Sequence, residues 1–324
     1  MTNNNVLYFP FINVPKSDWT IRSILYWDKV GSIVPQSFLY EPSQFSSEMR
    51  ELVAQELIEI LQPHRYDRYF YKFEEEFITE LTRDPKFIDR AKRNYKEGKV
   101  TRIHFDKMIH TLFYRFKELG IGNWKGNDWH WFYLEKNVAN LYMCFLATTI
   151  GKVSNYTPAT DNKNNIINSY FLKKEQREQI RQHILEDIIP TPQDVDLKKL
   201  RKFKDKYSED LIRFRRTVED SILSISNLSP EDYSEAIKLK VEEINDKKNQ
   251  ILFHLNQSGF KRIGLGNFLL VAGSGTAFFL DGGIISGGVF LGSVYNAIEN
   301  SRNKFENDNF AYIAHYEKKL LGRR

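Results

Sequence analysis

Residues able to do acid–base or metal chemistry are sparse in this chain, and two carboxylates stand out by position. Asp28 directly follows Trp27 at the end of a predicted helix, and Asp161 closes the polar loop Thr157-Pro-Ala-Thr-Asp161. Two carboxylates converging at strand or helix ends can bind a hard cation or divide acid and base roles. Taken singly, each is an ordinary cap or Asx-turn acceptor. Arg213, Arg215 and Arg216 are the cations that would meet them or an anion, against the plainer reading of surface pairing. The 7 histidines include no His-Glu-x-x-His pair, and there is no Cys-x-x-Cys, so no zinc site is expected. Nucleophile-elbow, phosphate-loop and kinase motifs are absent, and no glycine-rich turn follows the first predicted strand. Cys144 falls on an apolar helix and reads as an inert core thiol. The motifs therefore assign no catalytic residue, cofactor or metal, and they leave enzyme and non-enzyme readings both open.

The elements that must position these residues are helical, with one unusual stretch. Between Arg262 and Glu299 the only charge is Asp281, and nine of the chain's 17 glycines lie there. Two uncharged arms, 263–280 and 282–298, meet at Asp281-Gly282-Gly283, which reads as a tight turn. A glycine inside a helix costs about 1 kcal/mol relative to alanine, so close backbone packing must compensate. Three environments supply it: a buried helical hairpin, a hairpin entering or lining a membrane, or a glycine-rich β-hairpin. Gly283-x-x-x-Gly287 and Gly288-x-x-x-Gly292 fit small-residue helix packing, and each arm sits at the lower limit of a bilayer span. Gly273, Phe279, Asp281, Gly283, Gly287, Gly288 and Gly292 are the candidate membrane or oligomer contacts.

Composition bounds the rest. With 324 residues the chain holds one large or two modest domains. A net charge of +5 permits contact with anionic lipid or nucleic acid without requiring it. One cysteine excludes an internal disulfide and suits a reducing cytosol. The start lacks a secretion signal, so a cytoplasmic location is expected, with membrane association if the hairpin inserts.

Along the chain, Val6–Asn13, Trp19–Trp27 and Lys29–Pro35 read as strand, helix, strand: a parallel βα unit. Helices are expected over Ser47–Leu61, His64–Leu81, Thr101–Leu119 and Trp129–Ile150, the last a central core helix. The aromatics Tyr66, Tyr69, Phe70, Phe73 and Phe77 could stack nucleic-acid bases, but their helical spacing reads as a core stripe. Tyr156–Asp161 reads as a polar loop. Leu197–Ile225 and Glu231–Gln257 form an antiparallel helical hairpin, and Phe305–Leu321 a closing helix. The expected fold is mostly α with a small N-terminal α/β element, a multi-helix body, that helical hairpin and the Gly-rich apolar hairpin. The expected domains are 1–190 and 191–324.

Three stretches carry a family resemblance: Leu7-Tyr-Phe-Pro10 with Leu25-Tyr-Trp-Asp28 and Ile33-Val-Pro35; Tyr142-Met143 with Thr157-Pro-Ala-Thr-Asp161; and Ile189-Pro-Thr-Pro192 with Phe214-Arg215. Together they resemble an uncharacterised bacterial family of unknown function. The resemblance implies a bacterial, cytoplasm-facing protein and brings no activity or cofactor. Asp28 and Asp161 are the carboxylates held by these motifs. Two functions follow as expectations. One is a non-enzymatic effector, of the kind used in antiviral defence, whose hairpin is membrane-active or an oligomer interface. The other is a soluble enzyme or ligand-binding module with a pocket near Asp28 and Asp161. A protein partner or homo-oligomer is expected, nucleic acid is not, and any small-molecule ligand is unidentified.

Overall fold

A computed structural model describes residues 4–161, 172–191, 196–249, 279–280, 283–284 and 308–321. The chain is mostly helical, with small parallel and antiparallel sheets. It divides into two compact units, 1–175 and 176–324.

The first unit opens as the sequence suggests. β1 (Asn5–Tyr8), α1 (Asp18–Tyr26) and β2 (Lys29–Ile33) form a parallel βαβ unit, registered from Asn5↔Lys29 to Tyr8↔Ser32. After Asn5, β1 has no charged residue because both its faces are covered: Val6, Leu7 and Tyr8 are fully buried. Ser17 takes the N-cap position of α1 without making a side-chain capping bond.

The expected helix Ser47–Leu61 is two elements. After the short α2 (Ser37–Tyr40), α3 (Ser47–Ala54) stops at Ala54. Glu56 turns the chain with a left-handed φ of 56°, and β3 (Ile58–Leu61) joins the sheet parallel to β2. A short apolar run fits both the helical and the buried-strand period, which is why Leu57 to Leu61 misled. The expected helix His64–Leu81 is a 3-10 segment, Pro63–Tyr69, followed by α4 (Phe73–Thr82). α5 (Pro85–Lys96) follows, capped by Asp84.

Two further corrections share that cause. The expected helix Thr101–Leu119 is β4 (Val100–His104), a 3-10 turn and α6 (His110–Glu118). After β5 (Gly122–Trp124), the expected helix Trp129–Ile150 is β6 (Trp131–Glu135) and then α7 (Lys136–Ser154). Glu135 does not interrupt that helix but starts it, accepting the backbone N–H groups of Asn137 (2.8 Å) and Val138 (2.9 Å). The expected polar loop contains β7 (Tyr156–Ala159), parallel to β1 from Asn5↔Tyr156 to Tyr8↔Ala159. A Cβ on Gly151 would lie 2.5 Å from the Tyr156 carbonyl oxygen, so glycine permits the tight return of α7 into β7.

The parallel sheet runs β3-β2-β1-β7 and the antiparallel sheet β4-β6-β5. α7 is the centre of the core, as expected. Its Leu141, Tyr142 and Leu146 belong to one buried cluster with Leu7, Ile33 and Leu61 of the sheet. Phe77 packs 5.5 Å from the Tyr142 ring and 5.9 Å from Phe116. Cys144 is buried and forms no disulfide.

The second unit is helical: α8 (Leu172–Ile188), α9 (Leu197–Lys206), α10 (Ser208–Ile225) and α11 (233–249). The expected single helix Leu197–Ile225 breaks at Tyr207, and Pro230 opens the turn into α11. Leu200, Phe203, Leu211, Phe214, Val218 and Ile244 are buried. Of the Gly-rich stretch, only β8 (Phe279–Leu280) and β9 (Gly283–Ile284) are described. They pair antiparallel as Phe279↔Ile284 and Leu280↔Gly283. The helical or membrane form of that hairpin, and Gly273, Asp281, Gly287, Gly288 and Gly292, lie outside the described residues. α12 (Ala311–Lys319) closes the described chain. Among the described residues no helix is long and apolar enough to cross a membrane.

Candidate functional site

The strand order β3-β2-β1-β7 contains a reversal. The chain moves outward from β1 to β2 to β3, then crosses back to place β7 on the other side of β1. In open parallel sheets, ligands bind beyond the carboxyl ends of the strands where that order reverses. Here the reversal lies between β1 and β7, and a cleft of about 380 Å³ sits at that place. Pro10 and Phe11 come to it from the loop after β1, and Asp161 from the loop after β7. The first turns of α7 contribute Lys136, Ala139, Asn140 and Met143, and the free edge of β4 contributes Thr101, Arg102 and Ile103.

Asp161 is oriented by a neighbour. The Tyr8 hydroxyl donates to its Oδ1 at 3.0 Å. Burial, and then the charge of Asp161, push the Tyr8 pKa far above the usual phenol range, so Tyr8 remains a proton donor to that oxygen. Oδ2 has no hydrogen bond among the described residues and is available to a ligand. The lining also includes two cations with no ion pair among the described residues: Lys136, the first residue of α7, and Arg102, whose guanidinium lies 4.4 Å over the Trp131 ring. The cleft thus combines an acceptor, two cations, the Asn140 amide and the Thr101 hydroxyl.

Asp28 is not part of this site. It precedes β2 at the amino edge of the sheet, where its backbone N–H donates to the Asn4 carbonyl at 2.8 Å. By register Asp28 is level with Asn155, six residues before Asp161, a separation of roughly 20 Å at strand rise. The paired-carboxylate arrangement is therefore not formed. Arg213 pairs with Asp210 one turn away, and Arg215 is buried within α10. Among the described residues no group of three or more His, Cys, Asp or Glu side chains could hold a metal ion.

A second polar cluster lies where the loop after β2 meets the end of β4. His104 Nδ1 accepts the Asp106 backbone N–H at 3.2 Å, which puts the ring proton on Nε2, 3.5 Å from Ser37 Oγ. Asp106 in turn accepts the Ser37 backbone N–H at 3.4 Å. A histidine held this way donates toward the serine and cannot take its proton, so this serine, histidine and aspartate form a clasp and not a nucleophile relay. Burial, outweighing the nearby Asp106, lowers the His104 pKa to about 4. Beside it Lys107 is buried, its amine without hydrogen bond or ion pair among the described residues, and burial lowers its pKa to about 7.

No family model, curated protein or solved structure matches the chain. Of the sequence candidates, the fold brings Asp161 to a cleft and leaves Asp28 at the far edge. Tyr8, Arg102 and Lys136 escaped notice because the chain supplies them from three separate elements. The one legible signal was Glu135 beside Lys136: an acidic N-cap would have marked the start of α7.

Proposed function

We propose that residues 1–175 form a ligand-binding α/β module whose small-molecule ligand occupies the cleft between the carboxyl ends of β1 and β7. The observation that supports this most is the coincidence of that cleft with the point where the strand order reverses. Asp161 would accept hydrogen bonds from ligand hydroxyl or amine groups, and Arg102 and Lys136 would hold an anionic group. Phe11, largely exposed beside them, offers an apolar face. The ligand class is thus a small anion that also carries donors, such as an amino acid, hydroxy acid or nucleoside phosphate. The test is a thermal-shift panel of those three classes on wild type, Asp161→Asn and Arg102→Ala. A ligand at ten times its Kd adds about 1.4 kcal/mol, a rise in Tm of roughly 3–6 °C for a unit of this size. Wild type should show the shift with one class, and both variants should lose most of it. No shift with any class, or equal shifts in the variants, would remove the reading.

A second reading rests on residues 263–298. Their single charge and nine glycines, with the pairing of Phe279 and Leu280 to Ile284 and Gly283, support it. In this reading the protein is a non-enzymatic bacterial effector, and the hairpin acts on a membrane or joins copies of the chain. Leakage of dye-loaded anionic vesicles should be marked for wild type and abolished by Phe279→Asp. Equal leakage from both proteins, or none from wild type together with a monomeric mass by light scattering, would exclude it.

A further inference from the structure

We propose that the open face of the β4-β6-β5 sheet binds single-stranded nucleic acid. The expectation from sequence was that nucleic acid is not a partner, because the aromatic stripe at Tyr66 to Phe77 reads as core. That stripe does supply core, with Phe73 and Phe77 buried. The sheet offers a different surface.

Strand alternation sorts its side chains cleanly. Phe132 and Leu134 of β6 and Ile103 of β4 point into the core, while Trp131, Tyr133 and Arg102 occupy the other face. Trp131 and Tyr133 are half-buried large aromatics, two residues apart on one strand, or about 6.8 Å, which leaves room for one base on each. Each carries a cation over its ring: Arg102 at 4.4 Å from Trp131, and Lys125 at 4.9 Å from Tyr133. Just before the start of β6, Trp129 is 59% exposed and stacks on His130 at 3.8 Å. The two ends of this face are closed, by Ser37 and Phe38 packed on His104 and by Asn94 bonded to Glu135. The middle is an open window of aromatic rings and basic side chains.

The charges around the window favour a polyanion. Arg93, Lys96, Arg102, Lys125 and Lys136 have no ion pair among the described residues. Lys136 adjoins Lys99 through a backbone hydrogen bond, so these cations run from α5 along the margin of the sheet. Of the carboxylates nearby, Glu97 is committed to Lys99, Asp128 to His130, Asp106 to the clasp and buried Glu135 to the start of α7, while Asp161 keeps one oxygen open in the cleft that Arg102 and Lys136 also line. Unpaired cations beside stacking rings are the combination by which proteins hold single strands with little sequence preference. A duplex cannot use the rings, because its bases are already stacked.

The test is fluorescence anisotropy with labelled twelve-residue oligo-uridine, oligo-thymidine and a duplex of equal length, at 50 and 200 mM salt. Wild type should bind one or both single strands well ahead of the duplex and lose affinity steeply with salt. Trp131→Ala or Tyr133→Ala should each weaken binding roughly 5- to 150-fold, while Trp131→Phe keeps most of it. Arg102→Ala should lower the salt slope by about 0.7. Circular dichroism identifies any alanine variant that has unfolded, and in that case Trp131→Phe and Arg102→Ala carry the comparison. No binding at 50 mM salt, or binding that treats duplex and single strand alike and ignores the ring substitutions, would overturn the proposal.

Discussion

The two units bury ionisable groups in opposite ways. In the second unit buried charges meet partners, although burial outweighs Arg181 at Glu178 and raises its pKa. Arg181 directs Nε and Nη2 at the Glu219 carboxylate, each at 2.8 Å, and Nη1 at Glu178. Lys248 meets Glu317 at 2.8 Å, with both side chains nearly out of water. In the first unit the buried cations lack adequate partners, and burial shifts them toward neutrality: His104 to about 4 and Lys107 to about 7. A paired charge is sensitive to loss of its partner. A neutralised group needs no partner but makes stability depend on pH. The helical unit should therefore be fragile to mutation, and the α/β unit fragile to acid.

The largest expected effect is in the second unit. Glu317→Ala strands the Lys248 amine in a dry site and should cost about 3–5 kcal/mol, read by urea unfolding. Replacing both, Lys248→Met with Glu317→Leu, should be near neutral or stabilising. A single-variant cost below about 1 kcal/mol would mean that solvent screens the pair, and the contrast between units would fail.

The first unit should respond with the opposite sign. Lys107→Met removes a buried lysine that has no hydrogen bond or ion pair among the described residues, so it should stabilise by an amount on the order of 3 kcal/mol at pH 7. The unfolded chain holds the lysine proton up to about 10.5 and the folded chain only to about 7. Wild-type stability should accordingly rise between pH 7 and 10, and the variant should be flat there. His104 repeats the pattern at lower pH. Its folded value of about 4 against 6.5 unfolded means that stability is lost as pH falls from 6.5 to 4. The loss should be at most roughly 3 kcal/mol, and His104→Gln should blunt it. An acid profile unchanged by His104→Gln would show that the clasp does not carry the titration.

These contrasts were only partly legible in the sequence. The opening βαβ unit was readable because Pro10, Ser17-Asp18 and Pro35 punctuate it. β3, β4 and β6 were read as helix, since their few apolar residues fit either period and no glycine or proline separates them from the neighbouring helix. At Glu56 the chain makes its left-handed turn without a glycine, which removes the usual marker. The cleft was half visible: Asp161 follows a polar motif, but Tyr8, Arg102 and Lys136 converge only once β7 is known to lie beside β1. Burial of Lys107 was invisible, because Phe105-Asp-Lys107 has the composition of a surface turn.

The smallest effect tests what holds that turn down. The Tyr142 hydroxyl, at the middle of α7, donates to the Lys107 carbonyl at 2.8 Å and accepts the Ile109 backbone N–H at 3.1 Å. One buried side chain thereby satisfies both polar groups of the segment that carries His104 and Lys107. Tyr142→Phe keeps the ring contacts with Phe73 and Phe77 and removes only the hydroxyl. It leaves a buried carbonyl and N–H unpaired, which should cost about 1–3 kcal/mol. If the hydroxyl positions the turn, the variant should also admit water to Lys107 and raise its pKa toward the ordinary value, flattening the rise in stability between pH 7 and 10. A loss of stability with that rise intact would show that Tyr142 anchors the core while Lys107 is buried by other contacts.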